Sequence, residues 1–525
     1  MQGVDQSGLA RVSAWRDRAC RHLASQRFDL LVVGGGIVGA GIANEASRAG
    51  LGVALVERGD FGGATSSASS KLIHGGLRYL RLGDVRLVRE AHQERRALLA
   101  VVAPHLVQRL PFLFPVYRGG PYRPATIRTA LWTYSALAGD RLGGLVEPER
   151  ARESVPALRV ESLRGCGVYR DAWTHDGRLC LANVRAAELA GATVLNHAEV
   201  TGLLTAGGRV RGAEVRDRVG GTTVSIEAGA VVNATGPWID DLRRLEDPAA
   251  TPYGRLSKGV HVLLRLDEPW SAALTIPHDR VRVTFAYPWE GMLLLGTTDT
   301  LYEGDPDDVA ATAADVEQVL AEAGVAVEAS LLRPERMLSS YAGLRVLPHA
   351  DGATADARRE TAFLRGKGGM LTVAGGKLTT YRRIALGALD RLAAELGAPR
   401  PDRRPAPLPG AADPGSVARR LLRGDGVDAE VAAHLAHLYG AHAEDLVALA
   451  AERPELLSRV HPDAPDIGAQ AVYAVREEWA VSAEDVLEGR TTLAARGLAT
   501  PAVVARVQQL VRSAPDDSPT PLRRG

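Results

Sequence analysis

Lysine is nearly missing from this chain. Of 63 basic residues among 525, only four are lysines: Lys71, Lys258, Lys367 and Lys377. Asparagine is equally scarce (Asn44, Asn183, Asn196, Asn233), while alanine and arginine abound, the pattern of a GC-rich coding bias. Cys20, Cys166 and Cys180 form no CxxC pair, which excludes a disulfide framework and makes a reducing, cytoplasmic setting the default. No apolar run reaches the roughly 18 residues of a spanning helix. Residues 1–20 are polar and lack the apolar core of a signal peptide, so none is expected. Acidic and basic residues cancel to a net charge of +1, which excludes a global field for nucleic acid. At 46% hydrophobic and 24% charged, the composition excludes disorder and coiled coil and suits two or three globular domains.

What is present begins with a change of period. Leu9, Val12, Trp15, Ala19 and Leu23 mark an amphipathic helix over residues 8–25. Phe28-Asp-Leu-Leu-Val-Val33 then reads as a strand buried on both faces. It runs into Gly34-Gly-Gly36-Ile-Val-Gly39 and an alanine-rich helix, and Leu51 to Glu57 supplies the next strand, completing a βαβ unit. Further on, residues 84–103 read as helix, and Pro104, Pro111 and Pro115 break the pattern. Residues 119–128 read as a loop before an apolar, basic-flanked segment, Ile127 to Leu142. Residues 176–236 form a second α/β stretch, 255–300 antiparallel strands, and 415–512 helices beyond a Pro-rich linker. The expected organisation is a helical extension (1–27), an α/β region (28–395) with insertions at roughly 105–165 and 250–340, the linker (396–414) and a helical domain (415–525).

The strand–turn–helix context gives the glycines a mechanism. Gly34 allows the tight turn, Gly36 lets backbone approach a pyrophosphate, and Gly39 lets helix pack on strand. The helix N-terminus favours phosphate charge. Glu57, 21 residues after Gly36, ends the second strand, where a carboxylate accepts from ribose hydroxyls and repels a 2′-phosphate. Hydroxyls crowd the next loop, Ala64-Thr65-Ser66-Ser67-Ala-Ser-Ser70-Lys71-Leu72-Ile-His74-Gly-Gly-Leu-Arg78-Tyr79, and can donate to phosphate or ribitol oxygens. Ala234-Thr235-Gly236 follows another strand, where small residues permit close contact with a cofactor. His434, His437 and His442 lack supporting cysteines and read as a polar helix face, so no metal is expected.

Residues 65–79, Asn233-Ala-Thr-Gly-Pro-Trp238, Gly296-Thr-Thr-Asp299 and Gly375-Gly-Lys-Leu-Thr-Thr-Tyr-Arg382 together strongly resemble FAD-dependent glycerol-3-phosphate dehydrogenases. The likeness spans residues 28–395 and continues more weakly through Arg476-Glu-Glu-Trp479 and Asp485 to Thr491. It implies an α/β fold: a Rossmann-type FAD domain of the D-amino-acid-oxidase group, an inserted antiparallel-sheet substrate domain and an all-helical C-terminal domain. It also implies oxidation of sn-glycerol 3-phosphate to dihydroxyacetone phosphate, with electrons passing to a membrane quinone. A glycerol-3-phosphate oxidase using O₂ and an FAD-dependent amine or amino-acid oxidase stand as alternatives. Carried onto this chain, FAD contacts fall on Gly34, Gly36, Gly39, Glu57, Thr65, Ser66, Ser67, Ser70, Lys71, Leu72, Val200, Ala234, Thr235, Gly236, Gly376, Lys377, Leu378 and Thr379.

Secondary-alcohol oxidation needs a base for the hydroxyl proton and cations for the phosphate. His74 and His261 are the candidate bases, because imidazole titrates near neutrality. Arg345 matches the substrate arginine of the family, and Lys377 is placed beside the flavin. Arg78, Tyr79, Lys258 and Arg359 complete the substrate set. Asp176 and Arg178 fit a cap or ion pair as well as a substrate contact. Ala130, Leu131, Trp132 and Leu137, flanked by Arg123, Arg128 and Arg141, suit a membrane interface or a core-facing helix equally. The expected setting is cytoplasmic, peripheral on the inner face of the cell membrane. Capping, dimerisation and regulation all stand open as roles of the C-terminal helices, and homodimer formation is left open.

Overall fold

Side chains of the strand Arg27–Val33 alternate between two cores: Leu30 and Val32 enter one, Leu31 and Val33 the other. Such a strand needs a layer on each face of its sheet. The computed structural model describes residues 14–77, 84–140, 143–280, 282–348, 361–397, 401–424, 426–451 and 453–514. Arg78, Tyr79, Arg141 and Arg359 therefore lie outside the described residues. Arg27–Val33 is central in an eight-stranded sheet, with Thr223–Asn233 and Val53–Val56 parallel on its two sides. Leu371–Ala374 and Thr193–Leu195 extend the parallel core, and Ala362–Arg365 closes one edge antiparallel. The helices Ile37–Arg48, Asp176–Leu189 and Tyr381–Leu396 cover one face. Ala14–Ser25 and the hairpin Ala198–Ala206/Arg209–Asp217 cover the other. This is the expected α/β class.

A second, ten-stranded sheet carries the order Thr300–Tyr302, Gly254–Arg265, Met292–Gly296, Val283–Trp289, Ala273–Pro277, Val107–Tyr117, Leu163–Thr174, Leu72–Ile73. Met337–Pro348 also pairs antiparallel with Gly254–Arg265. One junction is parallel, Ala273 and Leu274 against Phe112 and Leu113. Two local expectations change here. Pro111 and Pro115 do not break the pattern but lie inside the strand Val107–Tyr117. On one side this strand is paired along its length with Leu163–Thr174, but on the other only at residues 112–113, so prolines beyond that short stretch forfeit no ladder there. The expected loop at 119–128 ends early, because Pro124 starts the helix Pro124–Ala138 at its first turn, where a missing N–H is harmless.

The C-terminal helices Pro414–Leu421, Ala429–Tyr439, His442–Ala448, Gly468–Glu477 and Pro501–Ser513 bury their own apolar clusters. The Pro-rich segment before them is held in place: Leu408 N–H donates to the Val102 carbonyl (2.8 Å) and Arg382 donates to the Arg403 carbonyl (2.9 Å). Buried polar contacts dock the helical domain on the α/β region, among them Arg178–Glu478 (2.7 Å) and Asn196 Nδ2 donating to the Trp479 carbonyl (2.8 Å).

Candidate active site

The C-terminal ends of the parallel strands and one face of the second sheet enclose a cavity of about 1470 Å³. That exceeds the roughly 300–1,000 Å³ of a pocket for one small ligand and suits a dinucleotide together with a substrate. Its floor is the glycine turn. Gly34 has φ +105°, and a Cβ there would come within 2.5 Å of the Ala234 carbonyl oxygen; one on Gly39 would collide with the Gly34 carbonyl. No side chain caps the following helix from Gly36, although Ile37 N–H donates to Ser66 Oγ (2.9 Å), so the glycine turn and the serine loop meet. The Glu57 carboxylate accepts from Gly35 N–H (2.7 Å) and Gly59 N–H (2.8 Å). Burial raises its pKa, and those two N–H groups oppose the shift.

Gly34, Gly36, Glu57, Thr65, Ser66, Ser70, Leu72, Val200, Ala234, Thr235, Gly236, Gly376, Lys377, Leu378 and Thr379 all line the cavity, and so do His74 and Arg345. Separate motifs meet there. His74 N–H donates to Thr379 Oγ1 (3.1 Å), tying the His-Gly-Gly segment to the Lys377–Thr380 turn. Arg345 comes from the strand Met337–Pro348, opposite Ser257; its Nη2 donates to Thr297 Oγ1 (2.9 Å) and its Nη1 to the Thr298 carbonyl (3.3 Å).

Five expected contacts are elsewhere. Gly39 acts only through helix–strand packing, and Ser67 Oγ donates back to the Ala64 carbonyl (3.1 Å). Lys71 is buried away from the cavity wall; its Nζ donates to Asp176 Oδ1 and to the Ser67 carbonyl (both 2.6 Å) and lies over the rings of Trp289 and Tyr341. Lys258 pairs with Asp315 at 2.6 Å, joining the strand Gly254–Arg265 to the helix Ala313–Ala323. His261 is 1% exposed, stacks on Tyr341 and shares a hydrogen bond with Ser70 Oγ through Nε2 (2.9 Å). Burial, with the Arg345 and Lys71 charges adding to it, holds its pKa well below the usual histidine value, so the ring is neutral. His261 therefore stands behind the wall and fixes Ser70. Asp176 and Arg178 likewise go to ion pairs, with Lys71 and Glu478. His434, His437 and His442 turn to three different carboxylates, Asp466, Glu290 and Asp445.

Other wall residues were not singled out from the sequence. Asp171 lines the cavity, and its carboxylate takes the Tyr134 hydroxyl (2.8 Å), the Arg95 guanidinium and, more distantly, Gly75 N–H (3.4 Å). Burial pushes its pKa up to about 6 against the pull of Arg95 and Tyr134. The available signal was an acid two residues after Tyr169, on the buried side of the strand Leu163–Thr174, whose exposed positions carry Arg164 and Arg170. Phe112, Phe114, Tyr169, Thr275 and Phe285 form the sheet side of the wall, and Thr126 and Thr133 of the helix Pro124–Ala138 complete it.

Comparison with known proteins matches this architecture. Residues 29–382 match the family described as FAD dependent oxidoreductase, and residues 404–515 match the C-terminal domain of alpha-glycerophosphate oxidase. The chain is 37% identical over 508 residues to a glycerol-3-phosphate dehydrogenase of Mycobacterium leprae, covering 91% of this chain and 82% of that one. It is 33% identical over 494 residues to the aerobic glycerol-3-phosphate dehydrogenase of Staphylococcus haemolyticus, covering 90% and 88%. The chain belongs to the FAD-dependent glycerol-3-phosphate dehydrogenase family. A solved structure of the glycerol-3-phosphate dehydrogenase from Bacillus halodurans complexed with FAD has a TM-score of 0.75 at 29% identity, covering 97% of this chain and 99% of that one.

The residues of this family member fit its cofactor, FAD. A Cβ on Gly36 would come within 2.9 Å of Ser66 Oγ and narrow the space above the turn, which the glycine leaves open for a pyrophosphate. Glu57 retains lone pairs for ribose hydroxyls, and the Thr65–Ser70 loop and the Gly375–Thr379 turn line the rest of the cavity with hydroxyls and backbone.

Proposed function

We propose that this protein oxidises sn-glycerol 3-phosphate to dihydroxyacetone phosphate and passes the electrons to a membrane quinone. The observation that carries the reading is the placing of Arg345, Lys377 and His74 in the wall of one cavity with the dinucleotide cradle. Bound FAD supplies the two-electron acceptor for the hydrogen on C2. The chain's own residues do the rest. Arg345 offers a planar fork to the phosphate or to the oxygen that develops charge. Lys377 adds a compact cation, and His74, the candidate base in the wall, takes the hydroxyl proton. Arg78, Tyr79 and Arg359 are assigned to the phosphate on the family resemblance alone.

The electron acceptor separates two readings. The match of residues 404–515 to the C-terminal domain of an oxidase family favours O₂ as the second candidate. Turnover with glycerol 3-phosphate in air, following quinone reduction and peroxide together, is expected to give quinol with little peroxide; stoichiometric peroxide would establish the oxidase. For the membrane contact, no helix among the described residues is long and apolar enough to span. Peripheral contact is supported by the helix Pro124–Ala138, where Trp132 is 52% exposed and Arg128 is exposed on the outer side, with Arg123 exposed at its start. An aromatic ring flanked by cations suits an anionic lipid surface.

A further inference from the structure

The loop after Glu57 is short, irregular and essential to the cavity. Glu57, Arg58, Gly59, Asp60, Gly62 and Gly63 all line it. Inside the α/β region the loop is tied to the glycine turn: Gly62 N–H donates to the Gly35 carbonyl (3.1 Å), and Gly59 N–H to the Glu57 carboxylate (2.8 Å). A Cβ on Gly35 would come within 2.5 Å of the Phe61 ring, so turn and loop are in direct contact.

The other side of this loop is held by the C-terminal helical domain. Arg490 is fully buried, and its Nη2 donates to Asp60 Oδ1 (2.9 Å), while its Nη1 reaches Asp60 Oδ2. Its remaining hydrogen bonds stay in its own domain, to the carbonyls of Glu478 (2.6 Å) and Asp485 (3.3 Å). Trp479 packs edge-on against Phe61 with ring centroids 5.3 Å apart. Asn196 Nδ2 joins the node by donating both to Asp60 Oδ1 (3.1 Å) and to the Trp479 carbonyl (2.8 Å). A bidentate guanidinium fixes a carboxylate in orientation as well as position. Glu57, the candidate ribose-binding carboxylate, stands three residues before Asp60, and Phe61, the next residue after it, packs on the glycine turn that floors the cavity.

We propose that Arg490 is a positioning residue for the cofactor: through Asp60 and Phe61, the C-terminal domain holds the Glu57–Gly63 loop in its FAD-binding shape and so sets FAD retention. This rests on the FAD-dependent reading of the cavity. It assigns the helical domain a role at the ribose side of the dinucleotide site, separate from the substrate residues Arg345, Lys377 and His74.

The test uses the full-length protein, with FAD affinity measured by titrating the stripped apoprotein and following quenching of free-flavin fluorescence. In Arg490→Lys, which keeps the charge but loses the fork, the FAD dissociation constant is expected to rise at least tenfold. Its kcat at saturating FAD should stay within about twofold of the parent, a split that a general folding defect does not produce. Trp479→Phe, milder and at a second contact, is expected to raise it several-fold. His437→Gln breaks a different contact of the same domain, with Glu290, and is expected to leave it within about twofold. An unchanged dissociation constant in folded Arg490→Lys overturns the proposal, as does an equal rise in His437→Gln, which reduces the effect to domain docking in general. Should Arg490→Lys fail to fold, an unchanged constant in Trp479→Phe overturns it. Parent protein that binds no FAD would instead overturn the functional reading itself.

Discussion

Arg345 owes its place to a glycine on the neighbouring strand. A Cβ on Gly259 would overlap its guanidinium, so the absence of a side chain there leaves the fork room to lie along the wall beside Thr297. If that fork stabilises developing charge, Arg345→Ala should lower kcat/KM by about 10²–10³, the loss typical of removing one such donor; a fall of less than about threefold in steady-state assays with glycerol 3-phosphate would remove the assignment. The scarce residue types also resolve at this scale. All four asparagines are buried and hydrogen-bonded at joints between elements. Asn44 and Asn183 link two helices, and Asn233 folds back on Ile239 and Thr235 after its strand. Three lysines end on aspartates, Lys71 on Asp176, Lys258 on Asp315 and Lys367 on Asp247; Lys377 alone of the four lines the cavity. Sequence could mark these residues as unusual. It could not separate a lysine that faces the cavity from one paired behind it, because that depends on an aspartate distant in the chain.

Among the elements, those whose geometry is local were legible in the sequence. The strand–glycine turn–helix–strand unit over Arg27–Val56 follows from period, turn chemistry and the acid at the strand end. The long strand Val107–Tyr117 was not, since whether a proline forfeits a hydrogen bond depends on which partner strand lies beside it. Asp171 escaped for a similar reason: its partners Arg95 and Tyr134 come from two different helices. The helix Pro124–Ala138 bears out its core-facing reading through Ile127, Leu131 and Tyr134, and it leaves Trp132 outside. If the outer side meets lipid, Trp132→Ser should reduce co-sedimentation with phosphatidylglycerol-containing vesicles several-fold at constant salt. Equal sedimentation of both proteins would make Trp132 an ordinary exposed ring.

Over the whole molecule, a buried histidine–glutamate pair is among the contacts that join the helical domain to the α/β region. His437, on a C-terminal helix, donates through Nδ1 to the His105 carbonyl (2.7 Å) and faces Glu290 through Nε2 (3.0 Å). Burial opposes its charge, but Glu290 and that carbonyl outweigh burial and raise its pKa above the ordinary 6.5; in turn His437 outweighs burial at Glu290 and lowers that carboxyl to about 2. The neighbouring His105 and His175 are held near 3 by burial and stay neutral. A raised histidine pKa stabilises the fold fully below 6.5 and is lost as pH rises through the folded value. A depressed carboxyl stabilises above its ordinary 4.5 and is lost as pH falls toward 2. Thermal unfolding should therefore occur at lower temperature at pH 9 than at pH 6, and His437→Gln should shrink the difference; an undiminished difference would place the pH response elsewhere. One cavity is read as holding FAD beside a site for a phosphorylated secondary alcohol. The most direct measurement is anaerobic titration of the FAD-loaded protein with sn-glycerol 3-phosphate, following the visible flavin band. Bleaching is expected with glycerol 3-phosphate, and little or none with glycerol at the same concentration. No bleaching with glycerol 3-phosphate, or equal bleaching with both, would contradict that reading.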